Sequence, residues 1–391
     1  MSRLPDKPTR DVGGHLSADA LHRYQRHLLL PEVGEAGQLA LARGSVLIVG
    51  MGGLGSPAAL YLAAAGVGRL GLVDDDRVET SNLQRQVLYG GDDLGRPKTE
   101  RAAHRLAQLN PLITIEEHEE RLTSANGAGL VGAYDIVLDG TDNFTTRYLL
   151  NDLCVQLDRP LVSGSLHRFD GQVAVYWASK GPCYRCLFPR PPAPGKAPNC
   201  AEAGVLGILP GLVGVIQATE AIKLLVGLGR PLIGRLLTVE ALGMSFSEFG
   251  LSRDPACRSC GPERRFRSAA EVREEFVATC ERSAPPATDE ITAEELMRRL
   301  ADPSPPLLLD VREAWEWRMT RIEGAQLIPL GELNRRTGEI DAEREIVAVC
   351  KVGERSAVAV DLLRKSGYQA LNLAGGMLAW AAAGGPTIDG E

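Results

Sequence analysis

The stretch that most narrows the folds open to this chain is SVLIVGMGGLGS, residues 45–56. An apolar run of strand type enters the turn Gly50-Met51-Gly52-Gly53-Leu54-Gly55, and a helix is predicted from Ser56. Glycines at a strand-to-helix turn let the backbone approach an anion closely and aim the N–H groups of the helix start at it. Asp74 closes the next apolar run, RLGLVD, about 20 residues on, where a carboxylate hydrogen-bonds a ribose hydroxyl. The alternation continues to residue 155, with a helix around 97–109 and then the runs ITIEEH and DIVLDG. Such alternation predicts an α/β fold, a doubly wound Rossmann-like sheet. PLVSGS and GQVAVYW lie closer together and read as partly antiparallel, which makes the expected sheet mixed. The glycine turn alone fits NAD, ATP or a tight connection that binds nothing.

Three further features lean toward ATP. The segment SNLQRQVLYGGDDLGRPK carries Asn82, Arg85 and Lys98, groups suited to clamping a triphosphate. Asp139 and Asp142 follow the apolar run DIVLDG at a strand end, which suits Mg²⁺ and pyrophosphate release. A helix over 17–30 with Ser17 as N-cap carries Arg23 and Arg26, either of which offers a phosphate contact. Each of these residues taken singly also fits a solvated surface charge. Their concentration after successive strand ends argues for one shared site.

Eight cysteines in 391 residues, four of them in two Cys-x-x-Cys pairs, point to metal and thiol chemistry in a reducing cytoplasm. Cys183 and Cys186 together with Cys257 and Cys260 supply four thiolates, the ligand set of a closed structural Zn²⁺ site. Disulfides or unrelated free thiols are the alternative. Cys200 ends the loop PRPPAPGKAPNC, an extended segment with five prolines, and fits either a mobile reactive thiol or a small buried residue. Cys154 and Cys280 read as inert.

The expected layout is a disordered tail at 1–16, a nucleotide-binding domain over 17–261, a linker over 262–287 and a small α/β domain over 288–391. In that last domain the strand EIVAVC ends at Cys350 and a Gly-containing turn leads through Arg355 into a helix. Backbone N–H groups, the helix dipole and Arg355 there are expected to stabilise an anionic sulfur such as a persulfide. A phosphatase-like loop is the competing reading, but the spacing is one residue short of Cys-x5-Arg and Glu354 would repel a phosphate dianion. A linker of about 26 residues spans at most roughly 85 Å.

The composition is that of an ordinary globular chain, 44% hydrophobic and 24% charged. The net charge of −7 argues against general nucleic-acid binding. The polar N-terminus is no signal peptide, and the apolar stretch at 205–216, broken by Gly and Pro, reads as a core helix rather than a membrane span.

The segments RYQRH, VGMGGLGS, LVDDDRVETSNLQRQ, GRPK, DGTDNFTTRYLLND, CYRC, NCAEAGV and CRSC resemble the MoeB/ThiF family, relatives of the ubiquitin-activating enzymes. LLLDVREAWEW, CKVGER and NLAGGMLAW resemble a single rhodanese domain. Together they match two-domain adenylyltransferase–sulfurtransferases. The resemblance implies an ATP site at Gly53, Asp74, Asn82, Arg85 and Lys98, with Asp142 as the Mg²⁺-linked carboxylate and Arg26 reaching across a homodimer. It implies a sulfane sulfur on Cys350, fold-organising roles for Asp310 and Arg312, and zinc at the four cysteines. The implied partner is a ubiquitin-like sulfur carrier ending in Gly-Gly, with thiosulfate or a persulfide as sulfur donor. Cys200 would form a thioester or resolve an acyl disulfide. An NAD oxidoreductase, a thiosulfate sulfurtransferase acting alone and a non-catalytic scaffold remain as alternatives. The reading requires Cys350 to be reachable from solvent and the surroundings of Asp142 to be open.

Overall fold

The computed structural model of the chain describes residues 14–191, 204–263 and 290–389. Residues 1–13 of the expected tail, most of the expected linker, Cys200 and Cys280 lie outside the described residues. The chain divides into two compact units, the second holding residues 290–389.

The first unit is built on eight strands: β1 (Ser45–Val49), β2 (Arg69–Val73), β3 (Thr114–His118), β4 (Ile136–Asp139), β5 (Leu161–His167), β6 (Asp170–Tyr176), β7 (Arg235–Glu240) and β8 (Ser245–Gly250). Their order is β3-β2-β1-β4-β5-β6-β7-β8. β1 to β5 run parallel, and β6, β7 and β8 follow antiparallel. The expected mixed, doubly wound sheet is present. All five residues of β1 are buried, because helices cover both faces of a parallel sheet. All six residues of β8 are exposed, so that strand has no apolar alternation to announce it.

The helix Ile208–Val226 packs on the helix Gly55–Ala65 and on β5 and β6. By length and composition it would pass for a membrane span. Instead Gln217 and Glu220 are buried, and Gln217 Nε2 donates to the carbonyls of Asp139 (2.8 Å) and Val162 (3.1 Å). It is a core helix, as expected.

The single helix expected over 17–30 is instead two short ones, Ala18–Arg23 and Gln25–Leu28. Tyr24 separates them, and its hydroxyl is fixed by Asn110 Nδ2 at 2.8 Å, a contact 86 residues away that local periodicity does not contain. Ser17 caps the first of these helices as expected, its Oγ accepting from the Ala20 N–H at 3.2 Å.

The second unit has five parallel strands: β9 (Glu290–Ile291), β10 (Leu307–Asp310), β11 (Gln326–Leu327), β12 (Ile346–Val349) and β13 (Ala370–Leu373). Their order is β11-β10-β12-β13-β9, so β12, which delivers Cys350, is central. Asp310 and Arg312 are buried and joined by a bidentate ion pair, Arg312 Nη2 to Asp310 Oδ2 at 2.6 Å. Arg312 also donates to the Thr320 carbonyl, so the pair organises the fold as expected.

Candidate functional site

In the first unit the strand order reverses between β1 and β4, and ligands of doubly wound sheets bind outside the carboxyl ends of the strands at such a point. Val49 and Asp139 are register partners there. Gly50 has φ +90°, and a Cβ on it would lie 2.8 Å from the Gly140 carbonyl. A Cβ on Gly55 would lie 1.9 Å from the Gly50 oxygen. The two strand-end loops therefore pack backbone against backbone, and only glycine fits. No side chain caps the helix Gly55–Ala65; the Ser56 and Ala58 N–H groups go to the Gly52 and Leu54 carbonyls, and the N–H groups of Gly53 and Gly55 face an incoming anion.

Most of the predicted residues surround this turn. Asp74 Oδ2 accepts from the Met51 N–H at 2.7 Å and Oδ1 from the Asp76 N–H at 2.8 Å. Burial pushes the Asp74 carboxyl above its ordinary value, and Lys98 and the two N–H groups only partly oppose this. Lys98 Nζ donates to Asp76 Oδ2 at 2.7 Å. Asn82 is buried and its Oδ1 accepts from the Glu79 N–H. The Arg85 side chain lies against Gly53, its Cδ 3.7 Å from where a Cβ would stand. Tyr89 donates to the Met51 carbonyl at 2.8 Å, a support for the turn that motif reading missed.

The two carboxylates after β4 separate into different roles. Asp139 is fully buried, and its oxygens accept from the Thr141 N–H and hydroxyl, the Ser163 hydroxyl and Arg147 Nε. Its expected part in Mg²⁺ binding does not stand, because four donors, the paired Arg147 among them, already fill it. Asp142, three residues on, is exposed. Arg23 and Arg26 divide similarly. Arg23 donates to the Leu109 carbonyl at 2.9 Å, whereas Arg26 is exposed and among the described residues makes no hydrogen bond or ion pair.

The four cysteines converge. Cys183–Cys257, Cys183–Cys186 and Cys186–Cys260 sulfurs lie 3.6, 3.9 and 3.4 Å apart, and all four ligand atoms are within 4.8 Å of one another. A tetrahedron with metal–sulfur bonds of about 2.3 Å has edges of about 3.8 Å, so the spacing fits Zn²⁺. The described cysteines are free, which removes the disulfide alternative for these four. Cys183, through hydrogen bonding, pulls the Cys186 thiol down to about 6. Buried Asp152 ties the two halves together, accepting from Arg185 at 2.7 and 2.6 Å and from the Ser259 hydroxyl at 2.8 Å. Cys154 is buried, and that burial pushes its thiol up, consistent with an inert residue.

In the second unit the helix Glu354–Lys365 starts beside Cys350, with Gly353 at φ +93° as its N-cap. The Gly353 N–H and the Ser356 hydroxyl donate to Cys350 Sγ at 3.1 and 3.2 Å. Ser356, one residue beyond the loop, went unnoticed in the sequence because a serine in a helix carries no signal of its own. Two expectations need correction. Cys350 is fully buried, in the apolar cluster that also holds Val311, Ile328, Ala359 and Val360. Arg355 is paired with Glu316, both guanidinium–carboxylate contacts at 2.7 Å, which neutralises its charge. Burial acts to raise the Glu316 carboxyl, but hydrogen bonds from Arg355 and the Glu313 N–H outweigh it and hold the group below its ordinary value.

The ThiF family model matches residues 24–259, which is more than half of the chain. The chain belongs to the ThiF family. A rhodanese-like domain model matches residues 292–383. The chain is 42% identical over 381 residues to the probable adenylyltransferase/sulfurtransferase MoeZ of Mycobacterium tuberculosis, covering 96% of each. It is 43% identical over 416 residues to the adenylyltransferase and sulfurtransferase MOCS3 of Sus scrofa, covering 98% of this chain and 89% of that protein. It is 53% identical over 250 residues to a sulfur carrier protein adenylyltransferase of Thermus thermophilus, covering 63% of this chain and 92% of that one. Among solved structures, E. coli MccB with ATP superposes with a TM-score of 0.54 at 21% identity, covering 64% of this chain and 76% of that one, which shows the shared fold.

Proposed function

We propose that this ThiF-family protein adenylylates the C-terminal glycine of a ubiquitin-like sulfur carrier and then replaces the activated oxygen by sulfur carried on Cys350. The observation that carries the first step is the exposed Asp142 beside an uncapped helix start at the sheet's switch point. A carboxylate is a poor acyl donor until it gains a leaving group. The carrier's carboxylate oxygen attacks the α-phosphorus of ATP, forming an acyl-adenylate and releasing pyrophosphate. The N–H groups of Gly52, Gly53 and Gly55, with Arg85, Lys98 and Asn82, bind the phosphates, and Asp74 binds the ribose; the Gly50 N–H is already taken by the Val73 carbonyl at 2.8 Å, so Gly50 shapes the turn instead. Asp142 would hold Mg²⁺, which neutralises phosphate charge when bound, and Arg26 comes from a second copy in a homodimer. Cys183, Cys186, Cys257 and Cys260 would hold Zn²⁺ as a closed structural staple.

In the second step the persulfide on Cys350 attacks the acyl carbon and AMP leaves. The product is an acyl disulfide. Attack by the Cys200 thiolate on the Cys350 sulfur releases the carrier thiocarboxylate and leaves a Cys200–Cys350 disulfide, which a thiol reductant reopens. Loading and delivery both require the buried Cys350 sulfur to become accessible. Thiol chemistry of this kind suits a reducing cytoplasm.

The test uses the full chain with a carrier ending in Gly-Gly. Asp142→Ala is expected to abolish carrier-dependent ATP–pyrophosphate exchange while Cys350 still accepts sulfur. Exchange that persists in that variant, or that needs no carrier, rejects the reading. Binding of NAD in place of ATP would favour the oxidoreductase alternative.

A further inference from the structure

The short helices Ala18–Arg23 and Gln25–Leu28 carry one arginine that is tied down and one that is not. Arg23 donates to the Leu109 carbonyl at 2.9 Å, whereas Arg26 is exposed and among the described residues makes no hydrogen bond or ion pair. Helices of six and four residues are too short to hold their own shape in water, so their geometry has to come from tertiary contacts. Those contacts are made by the residues on either side of Arg26.

Tyr24 is only 6% exposed, and its hydroxyl accepts from Asn110 Nδ2 at 2.8 Å. The same amide nitrogen donates to the Ala63 carbonyl at 2.6 Å. His27 Nδ1 lies 2.9 Å from Gln38 Oε1. Gln38 Nε2 is given to the Ala65 carbonyl at 2.8 Å, so its oxygen faces the imidazole and Nδ1 donates. Asn110 and Gln38 are both fully buried. The two amides land on one place, the end of the helix Gly55–Ala65. Gly66, at φ +84°, closes that helix, and a Cβ on it would stand 2.5 Å from the Tyr24 hydroxyl and 2.8 Å from Gln38 Nε2. Buried amides spent in this way fix what they hold, since breaking either bond strands a polar group.

We propose that Tyr24 and His27 are positioning residues for Arg26: by fixing the backbone on both sides of it, they present its guanidinium outward to the nucleotide site of a second copy. This rests on the reading of Arg26 as the residue that enters that site. A side chain held at its root has less freedom to lose on reaching the phosphates, and it arrives in a defined orientation.

The test is carrier-dependent ATP–pyrophosphate exchange by the full chain, with Tm recorded for each variant. Tyr24→Phe removes the hydroxyl and keeps the ring. His27→Ala removes the Nδ1 donor, and His27→Asn returns an amide N–H near its place. Tyr24→Phe and His27→Ala are each expected to lower kcat/KM for ATP about fivefold, and His27→Asn to recover most of that loss. Neither is expected to lower the activity further once Arg26 is alanine, because the group they position is gone. The same fivefold loss in the Arg26→Ala background would reduce both residues to packing and overturn the proposal. So would full activity in Tyr24→Phe and His27→Ala beside a crippled Arg26→Ala. Full exchange in Arg26→Ala would instead remove the reading of Arg26 itself, and the proposal with it.

Discussion

Replacing Asp139 by alanine tests the division of labour between the two carboxylates after β4. Asp139 is fully buried and pairs with Arg147, which is only 8% exposed. Alanine would strand the Arg147 guanidinium without its counter-charge and remove the acceptor for Thr141 and Ser163. Breaking one side of a buried pair costs about 3–5 kcal/mol. In a unit of this size about 1 kcal/mol moves the midpoint by roughly 2–4 °C, so the first unit's Tm should fall by about 6–20 °C. Asp142→Ala removes an exposed group and should leave Tm within about 2 °C. Scanning calorimetry on the two full-length variants, with pyrophosphate exchange measured alongside, gives the comparison. An Asp139→Ala protein as stable as its parent, or an equal loss of Tm in Asp142→Ala, would refute the assignment of structure to one carboxylate and chemistry to the other.

Other outcomes follow from the same geometry. Burial raises the Asp74 carboxyl above 3.8, so the folded state holds that proton more tightly than the unfolded state does. Its contribution to stability is present below 3.8 and is lost as pH rises through the raised value. The stability of Asp74→Asn relative to the parent should therefore climb over that window and level off above it, as denaturation across pH would show. Elemental analysis should find one zinc per chain, and a strong chelator should destabilise the first unit by about 10 kcal/mol, enough to unfold it. No effect of chelation on its melting would exclude a structural metal. Ser356→Ala removes a hydroxyl 3.2 Å from Cys350 Sγ and should slow sulfur loading about tenfold without altering carrier adenylation. Equal loading rates would reduce Ser356 to a packing residue.

The sequence carried the glycine turn, the paired cysteines and the alternation of strands and helices, because each is a local pattern with one dominant physical cause. Gly50 and Gly55 are required by a backbone contact within the turn itself, so the motif that reports it is local. The identities of Asp139 and Asp142 were legible but not their roles, since burial by Ser163 and Arg147 comes from other elements. Arg355 misled for the same reason: Glu316 lies 39 residues upstream. The burial of Cys350 depends on Leu309 and Val311, some 40 residues upstream, which share its apolar cluster. β7 and β8 escaped notice because β8 is exposed throughout and shows no alternation.

The most direct test of the central claim is the mass of a Gly-Gly carrier after incubation with the full chain, ATP, Mg²⁺ and a sulfur donor. The account predicts that one carboxyl oxygen of the carrier is replaced by sulfur, and that Asp142→Ala and Cys350→Ala each prevent it. A carrier whose mass never changes, or one that gains sulfur equally well with Cys350→Ala, would contradict it.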